Sequence, residues 1–420
     1  MLCPWGNRKR DAMGEVPVQV TSELPATPAA APGRLQEYEE LFMRGPPMLV
    51  EGKLGLVRPG RLHTGRRCVL FIVLTWMPLC VMTALEGTLM PSSHGIGFLV
   101  DLGAFSRSWV AGPLLLLADV LAGRELSRVA TRFGWLCELS PSARAGFTRA
   151  AASTVRLRDG PLLEFAIAAT VLLIIVAMLH TLPFDQLPYW QHSQLHPEHL
   201  SVAGWWYAVV SLPLLLLLVV GWLWRLVVWT SFLVQVAKLD LPIVPEHPDQ
   251  AGGLGFIGYT VRGFAFVAAA FGAIVAGAVA NQVIHNGVSF LSLRYVIGGT
   301  AAVCVVLFCA PMCVLAPRLA AERRAGMKHF GQLATSFGLQ FRSEWFTGRK
   351  VERDTLERPD FSAATDLYQI VDRVKAMRFL PLDRVNVALL AIATLVPFFP
   401  VALLALPFDT LLKLVVGVLV

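Results

Sequence analysis

Long apolar runs alternate with short basic blocks along this chain. Six runs, at positions 68–85, 161–180, 205–229, 263–283, 295–315 and 385–406, are mostly apolar. Each has roughly the 20 residues a helix needs to cross about 30 Å of hydrocarbon. A seventh stretch, 109–121, is short and carries Asp119, so its apolar pattern alone leaves it open. Charge decides it. Of 36 Lys and Arg, ten precede Cys68, seven lie from Arg124 to Arg158, and thirteen from Arg318 to Arg384. Lys and Arg collect on the cytoplasmic side of membrane proteins, and the second block shares a side with the N-terminus only if 109–121 crosses, with Arg124 snorkelling to the inner interface from a helix that runs on toward Ala130.

The pattern therefore predicts an all-α fold, a polytopic transmembrane helix bundle of about seven spans with the N-terminus cytoplasmic. The outer loops, 86–108, 181–204 and 284–294, hold only Arg107 and Arg294 of the basic residues. Trp205, Trp206 and Tyr207 at one end of the 205–229 run, and Trp222, Trp224 and Trp229 towards the other, match interfacial aromatic belts. Beyond Leu406 an apolar stretch broken by Lys413 predicts a short interfacial or half-inserted C-terminal helix, with an eighth crossing as the alternative.

Five segments follow from this pattern. Residues 1–33 read as a disordered tail, rich in Pro, Ala and charge. Residues 34–67 form an interfacial segment in which Leu35, Tyr38 and Leu41 or Phe42 share a helical stripe. Six spans with a Gly-rich cytoplasmic loop at 245–258 occupy 68–316. Residues 317–384 are cytoplasmic and helical, with the stripe Leu367, Ile370, Val371, Val374 and Met377 starting after Pro359 and stopped at Pro381. Residues 385–420 hold the last span and the short helix. Composition agrees, with 55% apolar and 15% charged residues, and the net charge of +7 is explained by basic loops facing anionic lipid, without a nucleic-acid partner. None of the seven Cys falls in an outer loop, which argues against structural disulfides.

Four groups of residues are candidates for function. In the loop PEHPDQAGGLGFIG, Gly253, Gly255 and Gly258 satisfy GxGxxG, but no strand precedes them and a membrane helix follows, so the dinucleotide reading lacks its βαβ context. His247, Pro248 and Asp249 match the HPD of J domains without the surrounding helical domain. The packing reading has Asp249 capping a turn, Gly252 and Gly253 at positive φ, and Gly255 permitting close approach. The functional reading has the Gly-rich amides forming an anion nest beside Arg262, or His247 and Asp249 meeting a partner. At membrane depth, Asp119, Glu164 and Arg225 are costly without a partner, so either Asp119 or Glu164 pairs with Arg225, or the three snorkel to the cytoplasmic interface. Ala268, Gly272, Ala276 and Ala280 form a small-residue stripe suited to helix packing within one subunit, to an oligomer seam or to a pore lining. Finally, six of nine His (His94, His180, His192, His196, His199 and His285) fall on the outer side, where acidification would charge them.

The HPDQAGGLGF loop, the stretch from Ser362 to MRFLPLD and the proline-containing last span resemble a group of uncharacterised bacterial multi-pass membrane proteins. The resemblance covers the C-terminal half and implies a bacterial inner-membrane setting. No catalytic or metal signature and no cofactor is read from the chain. The expected function is first a channel or transporter for an ion or small solute, oligomeric. The alternative is a regulatory or assembly subunit docking a cytoplasmic protein, and the third is a membrane-embedded enzyme.

Overall fold

A computed structural model describes residues 38, 41–43, 57–58, 61–62, 64–91, 95–138, 140–181, 187–193, 196, 199–346 and 359–405. The tail at 1–33 and the C-terminal short helix lie outside these residues. Apart from a two-residue antiparallel ladder, β1 (Val57–Arg58) with β2 (Arg61–Leu62), the described elements are helical. They are α1 (Thr64–Leu85), α2 (Leu102–Cys137), α3 (Pro141–Arg158), α4 (Pro161–Thr181), α5 (Val202–Ala237) and α6 (Tyr259–Ile284), then α7 (Arg294–Cys309), α8 (Ala316–Trp345), α9 (Pro359–Ala376), α10 (Arg384–Leu395) and α11 (Phe398–Ala405).

Six helical runs are long and apolar enough to cross a membrane, and a seventh forms if α10 and α11, bent by 54°, count as one broken span. The chain is an integral membrane protein of the multi-pass helical type. Large apolar side chains on its rim face outward, among them Leu162, Phe165, Leu173 and Tyr295, each more than two-thirds exposed. Such a surface is stable in lipid and would aggregate in water.

The second crossing departs most from the sequence expectation. It is a 36-residue helix, α2, which starts seven residues before Trp109 and runs on past Ala130 to Cys137, through the first part of the basic block. Hydropathy undercounts it because Asp119, Arg124 and Glu125 lie inside it, and one of these, Asp119, has its charge matched within the bundle (below). Both α2 and α5 widen to a π-helical turn, at Ser106–Ala111 and Tyr207–Ser211, just before Pro113 and Pro213. A proline ring clashes with the carbonyl four residues back and lacks an N–H, and the wider turn relieves both.

α6 is the central helix, with 67% of its apolar stretch buried against 17% for the peripheral α4. It packs between α2 and α10. The glycines allow this: a Cβ on Gly272 would lie 2.0 Å from the Thr394 carbonyl oxygen, and one on Gly263 3.1 Å from the Ala122 Cα. Leu41 and Phe42, expected at the interface, are instead buried in the core, where Phe42 meets Trp229 and Phe232 edge-on and its N–H donates to Ser127 Oγ.

α7 and α8, joined by the 3-10 turn Ala310–Leu315, belong to a 54-residue helical run. At 1.5 Å per residue it is about 80 Å long, so much of it must leave the membrane. The charge-rich α8 is the part that does. α9 turns its stripe onto it, burying Val374 and Met377 fully and Leu367, Ile370 and Val371 in part.

Candidate functional site

Two polar constellations stand out at the end of the bundle that carries the basic blocks. The first is inside the bundle. Asp119 on α2 accepts from Arg67 Nη2 at 2.7 Å and from Arg225 Nη1 at 2.6 Å, with all three residues no more than 6% exposed. Arg225 also lies over the Trp222 ring at 4.7 Å. Arg67, at the start of α1, is a member that sequence spacing did not single out. Glu164 sits elsewhere, half-buried in the first turn of α4. The cluster ties α1, α2 and α5 together, and both carboxylate oxygens are used in doing so.

The second constellation is a clasp between the 245–258 loop and the segment joining α9 to α10. Asp249 organises the loop: its Oδ1 accepts from the Ala251 and Gly253 N–H at 2.8 and 3.1 Å, and its Oδ2 from the Gly255 N–H at 2.8 Å. The Gly-rich amides do form an anion nest, and the chain's own carboxylate fills it. His247 Nδ1 lies 2.9 Å from Asp249 Oδ1 and 3.3 Å from the Asp249 N–H. Burial pushes the Asp249 carboxyl up, but the three backbone donors together with His247 outweigh it and hold it below the ordinary aspartate value of 3.8.

Loop conformation explains the residue types. Gly252 and Gly253 have φ of +66° and +88°, and a Cβ on Gly252 would lie 2.4 Å from Ile243 Cγ2. Gly255 gives its space to the Asp249 side chain. From the other side of the clasp, the Arg378 N–H donates to the Gln250 carbonyl at 2.7 Å, while its guanidinium reaches Gln250 Oε1 and the Leu382 carbonyl. Asn386 Nδ2 donates to the Gly258 carbonyl and Asn386 Oδ1 accepts from Arg262 Nε at 2.6 Å.

Between the two halves lies a pocket of about 450 Å³. Its charged lining is Arg132, Arg262, Arg378, Asp249 and Asp383, with His247, and its apolar lining includes Phe256, Tyr259 and Leu382. The charges are not equally committed. Asp249 is saturated by its loop, and Asp383 stands 3.7 Å from Arg378. Arg132 stacks over Phe256 and Arg262 over Tyr259. Among the described residues, no acceptor meets the Arg132 guanidinium or the terminal nitrogens of Arg262. Two cations on aromatic supports thus face a space of ligand size with their donors available.

The small-residue stripe lies away from this pocket. Ala268, Gly272, Ala276 and Ala280 are all buried, Gly272 against α10 and Ala276 and Ala280 with Phe398 and Val401 of α11. At the opposite end of the bundle, fully buried Asp101 accepts from Trp190 Nε1, Asn281 Nδ2 and the Ala104 N–H at 2.8–2.9 Å. Asn281 is engaged on both sides of its amide, its Oδ1 also accepting from the Leu102 N–H, and His285 Nε2 is 3.0 Å from the Val100 carbonyl. Among the described residues, no three His, Cys, Asp or Glu side chains cluster to hold a metal.

Sequence reasoning picked out His247, Asp249, Gly252, Gly253 and Gly255, and named Arg262 as a neighbour. It missed Arg132, Arg378 and Asn386, which come from α2, the α9–α10 link and α10. One signal was available: HPDQAGGLGF and MRFLPLD, both singled out in the sequence, are the two halves of the clasp. No family model, characterised protein or solved structure matches the chain.

Proposed function

We propose that this protein is a non-catalytic regulatory membrane protein that binds an anionic, phosphate-bearing group in the clasp pocket on its cytoplasmic face. The observation that carries the reading is the pair Arg132 and Arg262. Among the described residues, the Arg132 guanidinium and the terminal nitrogens of Arg262 meet no acceptor as they line a ligand-sized cavity, while Asp249 of the same cavity is taken up by its own loop and Asp383 stands beside Arg378. The cytoplasmic assignment rests on the Lys and Arg distribution. Because Arg378 links the loop to the end of α9, occupancy of the pocket would bear directly on how α8 and α9 are held. Exposed Leu333, Leu339 and Tyr368 on those helices give a docking protein apolar surface to meet. The sealed packing of α6 against α2 and α10 supports binding over conduction along that seam.

Translocation of an ion or small solute by an oligomer is the second reading, favoured by the break between α10 and α11, since discontinuous spans build many transporter sites. The test is thermal unfolding of the detergent-purified protein with glycerol 1-phosphate, with phosphatidylglycerol, and with chloride at matched ionic strength. At least one phosphate compound should raise the midpoint of the wild type, and neither should do so for Arg132→Gln/Arg262→Gln. If neither phosphate compound stabilises the wild type beyond chloride, the binding reading is wrong. Solute flux into protein-bearing liposomes would then move the assignment to transport.

A further inference from the structure

We propose that the occupant of the clasp pocket is the headgroup of an anionic phospholipid of the surrounding leaflet, a proposal that rests on the reading of the pocket given above. The first ground is depth. Arg262 is the last Lys, Arg, Asp or Glu before the uncharged run 263–293, and Arg384 the last before 385–408. The pocket, lined by Tyr259 and Arg262 of α6 and by Asp383 and Asn386 at the start of α10, therefore sits where two spans pass from apolar to polar sequence. That is the level of lipid phosphates.

The second ground is chemistry. The pocket joins guanidinium groups to apolar and aromatic lining from Phe256, Tyr259, Leu380 and Leu382, which suits a molecule that is anionic at one end and oily next to it. Tyr259 and Phe379 are exposed at the same level. The third ground is continuity. Beginning beside Asn386, the residues Val385, Leu389 and Ile392 of α10 and Val396 at its C-cap recur at helical spacing and all are exposed. An acyl chain leaving the pocket has an apolar track to follow into the membrane. A soluble phosphate compound would make no use of that track.

The experiment is native mass spectrometry of the purified full-length protein with phosphatidylglycerol, phosphatidylcholine and glycerol 1-phosphate. It compares the wild type, Arg132→Gln/Arg262→Gln, and a control, Arg144→Gln/Arg149→Gln, on the exposed face of α3. Phosphatidylglycerol should bind the wild type and the control alike, and the pocket variant roughly tenfold more weakly, about 1.4 kcal/mol. Phosphatidylcholine and glycerol 1-phosphate should bind weakly to all three. Arg132→Lys/Arg262→Lys, which keeps charge, should fall between the wild type and the Gln variant, separating lost recognition from lost folding. Equal loss in the control would reduce the effect to general surface charge and overturn the site. Glycerol 1-phosphate binding as tightly as the lipid would overturn the lipid source and leave the anion pocket intact, whereas no binding of either compound would sink both.

Discussion

At the scale of single residues, the two carboxylates Asp119 and Asp249 show how differently an anion can be used. Asp119 is met by two guanidinium groups inside the bundle, so removing a partner leaves charge stranded at low dielectric. Arg225→Gln and Asp119→Asn are each expected to destabilise by about 3–5 kcal/mol, with the double variant costing less than the sum. Folded yield and unfolding midpoint in detergent measure this, and strict additivity would refute the pairing. Asp249 is half-exposed and serves its own loop. Its folded carboxyl titrates below 3.8, so its contribution is fully present above that value and fades as pH falls through the lower folded one. Asp249→Asn keeps the shape but loses the charge on the acceptor. Limited proteolysis within 247–255 should become faster in this variant at neutral pH, and in the wild type only under strong acid. Equal protection of the two at neutral pH would show that the carboxylate does not hold the loop.

At the scale of elements, α6 carries the tightest constraint. Its glycines are replaced by nothing without cost, because backbone atoms of neighbouring helices occupy the space a side chain would need. Gly272→Ala must move α10 away by pushing on the Thr394 carbonyl, and overpacking of this kind costs about 1–3 kcal/mol. Gly298→Ala on α7, where a Cβ would meet nothing, should be neutral by comparison. A shared drop in melting temperature for both would mean that the α6–α10 contact is not what limits stability. α10 matters twice over: its first turn supplies Asn386 to the clasp, and its far end breaks at 396–397 into α11. Displacement at Gly272 would therefore also be felt at Arg262, which Asn386 holds in place.

At the scale of the whole molecule, the apolar runs and basic blocks determined the class of fold, because transfer of about 20 residues into hydrocarbon is a local property that composition records. The same reasoning reached the loop glycines, whose positive φ is dictated by the backbone itself, and offered Asp119 with Arg225 as one of the arrangements that charge at depth allows, between which the structure chose. It placed Phe42 in an interfacial helix and left Arg67 out of the charge cluster, because burial of an N-terminal segment and neutralisation of a charge both depend on partners distant in the chain. Arg67 reaches Asp119 across 52 positions, and the clasp joins Gln250 to Arg378 across 128. Hydrophobic periodicity carries no information about such contacts. What only the tertiary structure decided is therefore the pocket: that an aspartate fills the glycine nest, leaving Arg132 and Arg262, from two different helices, as the donors that face an incoming anion.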